Sequence, residues 1–206
     1  MFTKEFEEKV TAFLHANKPV ADMIINKYMD PDGFDSANTL IFAACLAGFA
    51  VHQAVKEDGG KFSITNAKSG KYYRSNAVNK YLGTGVYSIV GTIQMYAELP
   101  DEELRDFFYT FDDRIEEKGW AMRDIDAQSF YREIKEFWES IYTEHTRKCC
   151  KDTSDYQMFF ALLLLRFLDN AVRCGAPKDD LGKIALECSI YMALLDDDSF
   201  ATVAKQ

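Results

Sequence analysis

Three groups of residues carry types and spacings suited to chemistry. The first is Asp112-Asp113-Arg114-Ile115-Glu116, a DDxxE pattern. Carboxylates one helical turn apart can bridge hard divalent cations. Asp112, Asp113 and Glu116 are therefore candidate ligands for magnesium, which would hold a diphosphate. Such a site needs converging carboxylates from a second helix. The other acidic cluster, Asp196-Asp197-Asp198, lies near the end of the chain and makes a poor partner. A solvated helix face explains the pattern more simply.

The second group lies in FSITNAKSGKYYRSNAVNKYL, residues 62 to 82. Lys68, Lys71 and Arg74 sit beside Tyr72 and Tyr73, and cations beside aromatic rings can grip a phosphate while stacking a base. These five are candidate ligand-binding residues for a small anion or a peptide. A GxxxxGK[ST] phosphate loop is excluded, because residue 65 is Thr and residue 72 is Tyr. The same stretch reads as a β-hairpin: Phe62 and Ile64 share a face, Gly70 suits a turn, and Tyr72-Tyr73 begin the return strand. Ser75 then caps a short helix over 76–82. Edge lysines also discourage unwanted strand pairing, so connector and binding site both stay open.

The third group is histidine and cysteine. His52 lies in a long helix next to Gln53 and one turn from Lys56, which makes it a further ligand-binding candidate; a structural role is the simpler one. His15, His52 and His145 show no metal-ligand spacing, and HExxH and ExxH motifs are absent. His145 and Cys149 stand at i, i+4, and Arg147 and Lys148 would lower a thiol pKa there. A third, orienting group is missing. The acidic alternation Asp30-Pro31-Asp32-Gly33-Phe34-Asp35 fails as a calcium loop, with Asp35 and Ile41 where glycine and an acid are required. No cofactor is indicated.

Hydrophobic periodicity supplies the elements that must position these groups. Helices are expected near 3–16, from Pro19 onward, and from a cap at Asp35 or Ser36 to about Glu57. The last is rich in small residues around Gly48, as expected of a central helix packed on several sides. Further helices start at Thr84 or Gly85, at Asp101 (inner stripe Leu104, Phe107, Phe108, Phe111, Ile115), near Asp126, at Thr153 or Ser154, and at Pro177. Residues 199–206 read as a flexible tail. The fold class expected is all-α: a single-domain bundle of about eight helices, 1–206, with one small β-hairpin insertion near residues 61–75.

The chain has 206 residues and a net charge of −9, with 48% hydrophobic and 28% charged residues. That composition suits a packed globular core. Residues 59–97 contain no acid but carry Lys61, Lys68, Lys71, Arg74 and Lys80, so this window is +5 and the rest −14. The acidic balance argues against general nucleic-acid binding. The most apolar run, Met158–Leu165, is too short for a membrane span. Five cysteines without a CxxC pair, and an N-terminus lacking an apolar signal core, suggest a cytoplasmic setting. No group assembles a nucleophile, base and orienter. The expected function is thus a non-catalytic binding or interaction module, holding a protein partner, a second copy as a homodimer, or a small anionic ligand. The alternative is a metal-dependent enzyme acting on a phosphorylated or diphosphate ligand.

Overall fold

The structure, a computed structural model, describes residues 3–30, 33–67, 70–83, 87–118 and 126–200. It is the expected all-α bundle with a small hairpin. In chain order the elements are α1 (Lys4–Ala16), α2 (Lys18–Lys27), β1 (Met29–Asp30), β2 (Gly33–Phe34) and α3 (Ser36–Glu57). The hairpin β3 (Ser63–Ala67) and β4 (Gly70–Arg74) follows, then α4 (Asn76–Gly83), α5 (Ile89–Ala97), α6 (Asp101–Lys118) and α7 (Ala127–Ile141). A π-helical turn (Tyr142–Thr146) leads to α8 (Arg147–Cys149), α9 (Ser154–Arg173) and α10 (Lys178–Ala193).

Side-chain caps begin several helices by accepting backbone N–H groups that the first turn leaves unpaired. Thr3 caps α1, Asp35 caps α3, Ser88 caps α5 and Asp126 caps α7. Thr84 and Gly85, expected to open α5, lie outside the described residues. At α9 neither Thr153 nor Ser154 caps. Asp155, in the first turn, instead accepts N–H groups from Lys151 and Asp152 and pairs with Lys9 of α1.

Helix α3 is the axis of the bundle. It packs most extensively on α10 and α9, and also on α7, α4 and α2. Its length and apolarity match those of a membrane span, yet 83% of its most apolar window is buried inside the protein. Gly48 permits this packing: a Cβ there would lie 2.0 Å from the Ser189 carbonyl oxygen and 3.1 Å from the Ala193 nitrogen, both in α10. The apolar run of α9, Phe159 to Leu164, is buried in the same core. Trp138 of α7 marks the junction, its ring centroid 5.8 Å from Phe49 of α3 and 5.6 Å from Phe160 of α9.

The hairpin pairs in the register Ser63↔Arg74 to Ala67↔Gly70, so the return strand begins at Gly70, which is paired with Ala67, rather than at Tyr72. A second, two-residue pairing, Met29↔Phe34 and Asp30↔Gly33, was not legible in the DPDGFD turn.

Candidate functional site

Strand alternation divides the basic candidates between two faces of β4. On one face the Tyr73 hydroxyl and the Lys71 ammonium both donate to the Asp198 carboxylate, the latter at 3.1 Å. Here also lies His52, stacked under Phe62 at 4.7 Å and meeting Tyr73 edge-on at 6.2 Å. On the opposite face Tyr72 is buried with its ring 6.0 Å from Tyr191 of α10, and Arg74 lines a depression beside α4, α6 and α10. Lys68 falls outside the described residues. The six candidates therefore do not form one patch: the structure joins His52, Lys71 and Tyr73 and sends Tyr72 and Arg74 elsewhere.

The chain's C-terminal segment holds the hairpin. The Lys71 N–H donates to the Ser199 carbonyl at 3.0 Å and the Tyr73 N–H to the Leu194 carbonyl at 2.7 Å, filling the edge of β4 that β3 leaves free. Gly70 has φ +145° and approaches this segment so closely that a Cβ would lie 2.5 Å from the Ser199 oxygen. The stretch expected as a tail thus starts with a buried, tethered Ser199, whose hydroxyl accepts the Asp196 N–H. Residues 201–206 lie outside the described residues.

Three consecutive aspartates make this clasp, each against a different element. Asp196 meets α3, 2.8 Å from Lys56 Nζ and 3.5 Å from His52 Nε2. Asp197 meets α7, accepting from Lys135 at 2.7 Å and Tyr131 at 3.4 Å. Asp198 meets β4 as described. His52 Nδ1 donates to the Ala193 carbonyl at 2.9 Å, while Nε2 has no well-directed hydrogen-bond partner. Partial burial raises the Asp196 carboxyl, but the His52 ring and the Lys56 ammonium outweigh it and hold that carboxyl well below the usual carboxylate range. Burial, reinforced by the bond to Asp198, pushes the Tyr73 hydroxyl up. Asp196–Asp198, in the sequence only a poor metal partner, meet Lys56, Lys135 and Lys71, of which Lys71 alone belongs to the +5 window.

The DDxxE residues lie in the last turns of α6. Asp113 is exposed, and the side chains of Asp112 and Glu116 are outside the described set. Among the described residues no three His, Cys, Asp or Glu side chains are grouped so as to hold a metal ion. Burial pushes the Cys149 and Cys150 thiols up, the reverse of what activates a thiolate. Cys45 and Cys188, both fully buried free thiols, share a hydrogen bond in the core.

A different surface emerges along α6 and α10. Phe111 is buried and Leu104 and Phe107 half-buried, as the expected inner stripe requires. Phe108, expected inward, is 43% exposed, and the adjacent Tyr109 is 76% exposed. Two depressions run in line along this seam. One, about 320 Å³, is lined by Leu99, Leu104, Phe107 and Leu186 with Glu103, Asp106 and Glu187 around it. The other, about 370 Å³, is lined by Leu82, Phe108, Phe111, Ile190 and Leu194 with Arg74 at its edge. Exposed aromatics beside apolar hollows recur in protein interfaces. In comparisons with known proteins the chain matches no family model, no curated protein and no solved structure.

Proposed function

We propose that this chain is a non-catalytic binding module whose working surface is the α6–α10 groove. One observation carries the reading: Phe108 stands exposed in the lining of the second depression, and apart from its neighbour Tyr109 no other Phe, Tyr or Trp among the described residues is exposed. Aromatic side chains next to a preformed hollow are where binding energy concentrates in protein interfaces. The apolar run of α9 is used in the chain's own core, so a dimer formed by this protein would have to employ a surface such as this groove.

The test is to pan a displayed library of random peptides against the wild-type protein. Enriched peptides should bind the wild type and lose about tenfold or more in affinity to Phe108→Ala. Enriched peptides that bind Phe108→Ala and Tyr109→Ser as tightly as the wild type would dispose of the groove as the working surface.

A further inference from the structure

The two depressions are spaced for a helical occupant. Along α10 the first is lined by Lys183, Leu186 and Glu187 and the second by Ile190 and Leu194. Their centres are thus about seven residues apart, or roughly 10 Å at 1.5 Å per residue. Residues at i and i+7 on another helix are separated by the same distance and share a face. An extended strand matches it less well, since its same-face residues recur at about 6.6 and 13 Å.

The charge around the seam narrows the occupant further. Helix α6 contains eight acids and three bases, and α10 three acids and two bases. In the lining of the first depression Glu103, Asp106 and Glu187 stand against Lys183 alone. Lys183 is committed to Glu103 at 2.6 Å and Asp179 at 2.9 Å. Asp106 and Asp113 are exposed on α6, one lining the first depression and one at the far end of the aromatic stretch. Arg74, at the edge of the second depression, is the other base in the lining.

Resting on the binding-module reading, we propose that the α6–α10 groove takes a basic amphipathic helix of a partner protein, about three turns long. Apolar side chains at i and i+7 fill the two depressions, and lysines or arginines beside them face the acids of α6. Contact along the seam covers Phe108 and Tyr109.

The experiment is fluorescence anisotropy on the full chain with three labelled helical peptides of one apolar pattern (Leu at i, i+3 or i+4, and i+7) whose other positions are lysine, glutamate or glutamine. The lysine peptide should bind at least tenfold tighter than the glutamate peptide. Its advantage should shrink as salt rises from low to physiological strength. The double substitution Asp106→Lys with Asp113→Lys should weaken the lysine peptide about fivefold or more while leaving the glutamine peptide within about twofold. Both sites are exposed, and an unchanged melting temperature shows that this variant folds.

Equal binding of all three peptides, lost in Phe108→Ala, would overturn the basic partner while leaving the groove as the binding surface. Failure of all three peptides, with library binders indifferent to Phe108→Ala, would overturn both. Concentration-dependent self-association in sedimentation, abolished by Tyr109→Ser, would make a second copy the occupant and overturn the proposal.

Discussion

Asp196 stands between two side chains of one helix, the Lys56 ammonium at 2.8 Å and the buried His52 ring at 3.5 Å. Its carboxyl titrates lower in the folded protein than in the unfolded chain, where an ordinary aspartate lies near 3.9. A depressed carboxylate contributes stability that is present above the unfolded value and is lost as pH falls toward the folded one. Asp196→Asn should therefore be about 1–2 kcal/mol less stable than wild type at pH 7. The two urea midpoints should converge as pH drops below about 4; curves that stay parallel from pH 7 to 3 would show that the charge contributes nothing. The place of His52 within the long central helix was legible from periodicity. Its partners were not: 141 residues separate it from Ala193, and no local periodicity encodes such a contact.

Helices α3 and α10 meet at a glycine. Alanine at position 48 would favour the isolated helix by about 1 kcal/mol, but its Cβ would fall 2.0 Å from the Ser189 oxygen. The obstruction is backbone, which cannot rotate away. Gly48→Ala is thus expected to destabilise by about 3 kcal/mol or more. Gly83→Ala, with nothing within 4 Å of the new carbon, should change the melting temperature little. Similar loss in both variants would show that helix packing at Gly48 is not the cause. The small residues around Gly48 made the central position of α3 readable from sequence. The direction of Phe108 was not readable, because a five-residue apolar stripe is wider than the face α6 buries, and only the tertiary neighbours decide which edge stays out. The π-helical turn after Ile141 was equally hidden, as periodicity cannot register one inserted residue within a long helix.

Across the whole molecule a continuous apolar cluster runs from Phe13 to Leu195. Shared burial couples the helices, so unfolding should be a single transition. In a Trp120→Phe background, Trp138 alone reports the junction of α3, α7 and α9, and its fluorescence midpoint in urea should coincide with that of far-UV circular dichroism. Two separated midpoints would divide the chain into independently folding parts. The fold class was legible because long helices announce themselves through period and caps; the clasp and groove were not, because they arise where distant segments converge. The same topology has a consequence during synthesis. Helix α3 is complete by residue 57, whereas α9 begins at residue 154 and α10 at 178. A ribosome adding roughly 5–20 residues per second leaves this span-like helix without its two main neighbours for about 5–20 s. Through that interval the nascent chain displays a segment that chaperones and membrane-targeting factors compete to bind, and the release of the last helix is what withdraws it from them.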